Sequence, residues 1–166
     1  MYYRYIESPI GSLLLAGDET GLRMIGFPEG KGQVTPPSDW VEDDTSFAEV
    51  EQQLTEYFEG KRTEFDLRLS PTGTPFQLAV LDALQTIPLG ETRSYQQIAQ
   101  QIGRPNAVRA VGAGNGRNPL PIVITCHRVI GADGSLTGFG GGLETKRFLL
   151  ELEGITPTHP LQDSLF

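Results

Sequence analysis

The chain has 166 residues, of which 38% are hydrophobic and 20% charged, so it can build one ordinary globular domain or two small ones sharing an interface. One cysteine and two histidines exclude an internal disulfide and a zinc-finger type cluster, and neither a metal nor a cofactor is expected. The net charge of −8 argues against a nucleic-acid partner for the surface as a whole, yet residues 1–73 carry net −8, residues 74–154 net +1 and residues 91–128 net +4, the local imbalance that a phosphate-facing patch on an acidic protein shows.

The N-terminal stretch Met1 to Glu7 lacks the long apolar run of a signal peptide or membrane span. A cytoplasmic protein with a reduced thiol and no membrane association is therefore expected. Short apolar stretches separated by turn residues follow: Tyr2 to Ile6, Ser12 to Ala16 and Leu22 to Phe27, with Ser8-Pro9-Ile10-Gly11 and Gly17 to Gly21 between them. That pattern predicts a small antiparallel sheet. After a Gly/Pro/Ser loop from Pro28 to Asp39, Phe47, Val50, Leu54, Tyr57 and Phe58 recur at helical spacing, with Ser46 and Glu49 as a capping box and Gly60 as the stop. Thr63 to Leu69 reads as one more strand, and Ser70-Pro71-Thr72-Gly73 as a boundary.

Beyond it the chain turns helical. Thr74-Pro75-Phe76-Gln77 combines an N-cap, a proline at the first helical position and a capping-box glutamine, and Phe76, Val80, Leu84 and Ile87 form the apolar face that follows. Ser94-Tyr95-Gln96-Gln97 repeats the box and opens a short helix ended by Gly103; a second short helix runs from Ala107 to about Gly114, and the pair reads as a helix-turn-helix. The apolar run Ile122-Val123-Ile124 leads to the cysteine, a glycine-rich loop covers Gly138 to Gly142, and a last helix covers Leu143 to Glu153. The reading is a mixed α/β (α+β) protein: an N-terminal sheet-and-helix domain over 1–73, a mostly helical domain with the cysteine loop over 74–154, and a flexible tail over 155–166.

Two stretches carry chemistry. Thr125-Cys126-His127-Arg128 places the only cysteine beside one of the two histidines. A thiol attacks as its thiolate and, with a reference pKa of about 8.5, needs a base or a positive charge; His127 can supply the first and Arg128 the second. A small buried hydrophobe is the bland alternative for a lone cysteine between Ile124 and Val129. The other stretch is the second helix of the pair. Ala107 to Gly114 offers a major-groove reader only one long polar side chain, Arg109, whereas the small residues Ala110 and Gly112 suit close approach to a minor groove into which Arg109 could insert. Close packing inside the protein would use the same small residues.

Ser94-Tyr95-Gln96-Gln97-Ile98-Ala99, Asn106 to Gly114, Asn118-Pro119-Leu120-Pro121-Ile122-Val123-Ile124, Cys126-His127-Arg128-Val129-Ile130-Gly131, Gly141-Gly142-Leu143-Glu144 and Leu150 to Gly154 together resemble the O6-alkylguanine-DNA alkyltransferases. The resemblance implies a DNA repair protein that flips O6-alkylguanine, mainly O6-methylguanine, out of double-stranded DNA and moves the alkyl group once and irreversibly onto its own cysteine. It implies Cys126 as nucleophile, His127 as its base through a bridging water, Glu153 as the group orienting His127, Tyr95 as proton donor at the purine N3, and Asn118 as a brace for the thiol loop. Arg109 would fill the space left by the flipped base, with Tyr95, Ala110, Gly112, Arg117 and Arg128 also at the DNA. The pocket would use the backbone carbonyls of Cys126 and Val129 and the loop carrying Phe139, Gly140 and Gly141. A monomer without an obligatory protein partner is expected.

Two positions depart from that family's pattern. Thr125 stands where proline usually precedes the nucleophile, and Phe139-Gly140 stands where tyrosine followed by serine or alanine is common. On the first, proline in place of Thr125 is expected to be tolerated and modestly stabilising. Two rival readings remain at this point: a damage-binding relative that transfers nothing, against which the presence of Cys126 speaks, and a Cys-His hydrolase or redox-sensing thiol protein, which leaves Tyr95 and Arg109 without a role.

Overall fold

The computed structural model describes residues 1–156, so the expected tail lies, apart from its first two residues, outside the described residues. Strand β1 (Tyr2–Ser8) and strand β2 (Gly11–Asp18) pair antiparallel through a tight turn in which Gly11 takes a φ of +103°, a conformation that costs a side chain-bearing residue dearly. Strand β3 (Gly21–Gly26) pairs antiparallel with β2. A short β4 (Val41–Glu42) adds in parallel to the free edge of β1, giving the order β3-β2-β1-β4. The sheet is thus mixed rather than purely antiparallel. β4 contributes only backbone, with Val41 N–H donating to Met1 O at 2.9 Å and both its side chains exposed, so no apolar pattern announces it.

Helix α1 (Ala48–Phe58) buries Val50, Leu54 and Tyr57 as the spacing requires, but the capping box at Ser46 and Glu49 does not form. Asp43 takes its place as the local acceptor: its carboxylate accepts from the Thr45 N–H at 2.8 Å and from the Ser46 hydroxyl at 2.6 Å, and the helix starts after Phe47 instead. The strand expected over Thr63 to Leu69 is also absent apart from a single parallel bridge between Leu69 and Leu22. Gln53 on α1 explains this, because its amide donates to Asp66 O at 3.0 Å and accepts from Asp66 N–H at 2.9 Å, satisfying the backbone that a ladder would have used.

In the second half both expected capping boxes form. Thr74 and Gln77 cap α2 (Pro75–Leu84), and Ser94 and Gln97 cap α3 (Tyr95–Gln101). Helix α4 (Val108–Gly116) completes the helix-turn-helix and packs on both α2 and α3, with Gly114 set against Val80. A two-stranded parallel ribbon of β5 (Arg93–Ser94) and β6 (Val129–Ile130) ties the start of α3 to the segment just after the cysteine, and α5 (Leu143–Leu152) closes the chain. One apolar cluster joins the halves: Leu13 and Leu15 of β2 and Leu54 of α1 belong to it with Val80, Leu84, Ile98, Val111, Ile124 and Leu149. The site's backbone is pinned to the sheet by Ile25 N–H donating to Pro119 O at 2.9 Å, and to the loop after β3 by Gly32 N–H donating to Gly140 O at 2.8 Å.

Candidate active site

Cys126 opens one turn of 3-10 helix, Cys126–Arg128, at the end of a loop that follows α4. The run Ile122-Val123-Ile124 is part of that tight loop, and Ile122 holds a φ of +75° while fully buried, a strained state for a β-branched residue that only surrounding contacts maintain. Asn118 supplies one such contact, donating through Nδ2 to Ile124 O at 2.7 Å and accepting the Leu120 N–H at 2.9 Å, so the loop before the thiol is braced from the end of α4. Asn115, which the sequence reading did not single out, donates to Cys126 O at 3.4 Å.

Thr125 is buried, and its hydroxyl donates to Leu84 O at 2.6 Å, tying the residue before the nucleophile to the end of α2. Its φ of −82° is close to what proline requires. Thr125→Pro therefore gains roughly 0.4–1 kcal/mol from the stiffer unfolded chain and loses a hydrogen bond of about 1 kcal/mol. The melting temperature should stay within about 3 °C of the parent, rather than rise, whereas Thr125→Val, which loses the bond without the gain, should fall by roughly 4–8 °C per kcal/mol lost at the small-domain scale, and less in a chain of this size. A clear rise for Thr125→Pro would mean that the hydroxyl contributes nothing.

Burial pushes the Cys126 thiol above its ordinary pKa, against the Asn118 side chain, the charge of Lys146 and the N–H groups of Cys126 and His127, which favour the thiolate. The resting group is thus a neutral thiol, and a base is required. His127 is fully buried, and its Nε2 lies 2.6 Å from Glu153 Oε2. Burial also pushes the imidazole below its ordinary value, outweighing the pull of Glu153 toward the charged form, so the ring is neutral. An ionised carboxylate only accepts, which assigns the ring proton to Nε2 and leaves Nδ1 with a free lone pair; among the described residues Nδ1 has no hydrogen-bond partner. Burial would raise the Glu153 carboxyl, but His127, Arg128 and Tyr57, all donating to it, bring it down to about 2.

Three donors meet on this carboxylate. His127 and the Tyr57 hydroxyl, at 2.5 Å, share Oε2, and Arg128 Nε reaches Oε1 at 2.7 Å. Arg128 also donates to Ile87 O at 2.6 Å. This corrects two expectations for Arg128. Its side chain is 7% exposed and its charge is spent on Glu153, so it neither faces DNA phosphates nor activates the thiol. The cation acting on Cys126 is Lys146, on α5. It is fully buried and donates to Val129 O at 2.7 Å and Thr137 O at 2.9 Å, and burial lowers its pKa to about 8. Tyr95, at the start of α3, lies 2.5 Å from the Thr137 hydroxyl, and burial keeps its phenol protonated.

Cys126 lines a cleft of about 350 Å³ together with Asn115, Asn118, Phe139, Gly140 and, from the sheet side, Phe27. That volume suits a small planar ligand such as a nucleobase. A larger cleft of about 560 Å³, lined by Thr125 and Arg128 on the other side of the turn, does not include the thiol. The ring of Phe139 contacts that of Phe27 with centroids 5.3 Å apart, and a Cβ on Gly141 would come within 3.0 Å of the Phe27 ring, so the glycine admits the close approach of the loop. Beside the cleft, α4 presents Arg109, Ala110 and Ala113 to solvent, with Arg117 exposed at its C-terminal cap, and turns Val111, Gly112 and Gly114 inward. Gly112 is therefore a packing residue and not part of a DNA-facing surface. The small residues serve both ends: the alanines leave a bare outer face, the glycines a close inner one.

Two family models match the chain in order: 6-O-methylguanine DNA methyltransferase, ribonuclease-like domain, over residues 1–71, and its DNA binding domain over residues 75–155. The methylated-DNA–protein-cysteine methyltransferase of Methanosarcina barkeri is 56% identical over 153 residues, covering 92% of this chain and 97% of its own. That of Methanosarcina acetivorans is 54% identical, covering 93% and 99%. Among solved structures, Mycobacterium tuberculosis OGT in complex with DNA superposes with a TM-score of 0.87 at 51% identity, covering 95% of this chain and 96% of that one. Cys126, His127 and Glu153 thus stand in a chain whose two halves both match, over nearly their full length, and the protein belongs to the 6-O-methylguanine DNA methyltransferase family.

Proposed function

We propose that Cys126 is the acceptor in the family's reaction, the transfer of an alkyl group from DNA to the protein's own cysteine. The observation that carries this reading is the buried arrangement of a neutral thiol lining a base-sized cleft beside a neutral histidine whose second nitrogen is held by a carboxylate. The protein repairs O6-alkylguanine in double-stranded DNA. His127 Nδ1 takes the thiol proton through a water, and the imidazolium so formed is stabilised by Glu153. The sulfur attacks the alkyl carbon in line, a C–S bond forms as the C–O6 bond breaks, and Tyr95 protonates the purine N3 so that guanine leaves as a neutral base. Solvent returns a proton to Tyr95 and removes one from His127. Lys146 holds negative charge at the sulfur until the bond forms.

The nucleotide reaches the cleft by leaving the stack, with Arg109 of α4 entering the space it vacates and Arg117 meeting the backbone. Val129 and Cys126 carbonyls and the Phe139-Gly140-Gly141 loop hold the base; Asn118 keeps the thiol loop in place. The protein acts as a cytoplasmic monomer, and residues 1–73 and 74–154 are its two domains. No helix among the described residues is long and apolar enough to cross a membrane. Transfer without turnover follows from the chemistry, because water does not displace a thioether under mild conditions. Titration with an oligonucleotide duplex carrying O6-methylguanine should end at one lesion repaired per protein; several turnovers per molecule would replace this reading with a true hydrolytic or recycling enzyme.

A further inference from the structure

We propose that Tyr57 is a positioning residue for the His127 base, acting from the N-terminal half of the chain by sharing the Glu153 oxygen that His127 uses. Tyr57 and Glu153 are 96 positions apart, yet the phenol donates to Oε2 at 2.5 Å, the same atom that His127 Nε2 meets at 2.6 Å. Tyr57 is 2% exposed and Glu153 5%, so water does not compete for this contact. The tyrosine itself is fixed by the rings of Phe58 and Phe65, each with its centroid 5.4 Å away. Burial, followed by the charge of Glu153, keeps the phenol protonated and therefore a donor.

Two consequences follow from one oxygen with two donors. The carboxylate cannot rotate: Arg128 holds Oε1 and Tyr57 holds Oε2, so the imidazole has a fixed partner and Nδ1 a fixed direction. The phenol also draws negative charge from Oε2, which weakens the stabilisation that this oxygen gives to an imidazolium. Tyr57 thereby keeps His127 neutral and competent as a base to lower pH than Glu153 alone would allow. The charged and titratable groups around His127 are Glu153 and Lys146 from the α5 segment and Arg128 and Cys126 from its own turn; those around Glu153 are His127, Arg128 and Tyr57. Only Tyr57 comes from the first 73 residues. The sheet-and-helix half is in this way part of the reacting network and not only a support for it.

The proposal rests on the assignment of His127 as the base, and the test separates the two. Single-turnover transfer from an O6-methylguanine duplex at saturating DNA is measured against pH for the parent, for Tyr57→Phe and for the full chain with 3-fluorotyrosine at position 57. The fluorinated ring keeps its shape and donates more strongly. Losing the hydroxyl should move the midpoint of the acid limb upward by about half a pH unit, an approximately threefold loss of rate below the limb. Fluorination should move it downward. A midpoint that moves in neither variant, whatever the melting temperature does, overturns the role of Tyr57; if Tyr57→Phe fails to fold, the fluorinated protein alone decides between a downward shift and none. A parent protein that transfers no alkyl group, or whose rate shows no acid limb, would instead remove the base assignment on which the proposal stands, and the proposal with it.

Discussion

Cys126→Ser should abolish alkyl transfer, lowering the single-turnover rate by more than about a thousandfold, equivalent to roughly 4 kcal/mol or more in the barrier. The hydroxyl is a far weaker acid than the thiol, and a histidine whose buried ring already resists protonation does not deprotonate it. Oxygen is also the poorer nucleophile toward a saturated carbon. The fold should tolerate the exchange, since serine is smaller and the cleft beside Cys126 is lined by the polar Asn115 and Asn118. Binding to a lesion-bearing duplex should therefore remain within about twofold of the parent in a titration, separating chemistry from recognition. Residual transfer near the parent rate would mean that another side chain accepts the alkyl group.

Arg109→Ala carries the next largest effect, and a selective one. Arg109 lies on the exposed face of α4 beside the bare Ala110 and Ala113, with no ion pair to another described residue to hold it back. Unstacking and unpairing a base costs a few kcal/mol, part of which an inserted side chain restores. Removing it should slow repair of duplex O6-methylguanine by about thirtyfold, near 2 kcal/mol, and leave the reaction with free O6-benzylguanine within about twofold. Equal losses on both substrates would show that Arg109 acts through the structure of α4 and not through extrusion.

The readable parts of this protein were those in which cause and effect lie within one or two helical turns. The Thr74/Gln77 and Ser94/Gln97 boxes form because both partners sit three residues apart with no better local acceptor; Ser46 failed for the opposite reason, since Asp43 stands nearby with an ionised carboxylate. Cys126 and His127 are adjacent, so a thiol beside a candidate base was visible in the sequence, and Glu153, whose contact with His127 the structure shows, entered through the resemblance. What stayed hidden depends on groups brought together from afar. Tyr57 looked like one more apolar position on a helix, and only the tertiary contact reveals what its hydroxyl does. Lys146 stands in the sequence as one charged residue of the last helix with nothing to mark it, but Val129 O and Thr137 O draw it fully inside. Arg128 carried a charge of the right sign in the right segment; that Glu153 consumes it is a fact of packing. The faces of α4 likewise needed its neighbours, because Ala110 and Gly112 look alike in composition while one is exposed and the other buried.

The most direct measurement on the central claim is intact-mass analysis, followed by peptide mapping, after the protein is mixed with an O6-methylguanine duplex. A single methyl increment on the peptide containing Cys126, with unmodified guanine left in the DNA, is the expected result; an unchanged protein mass with the lesion still bound, or an increment mapped to any other residue, would contradict it.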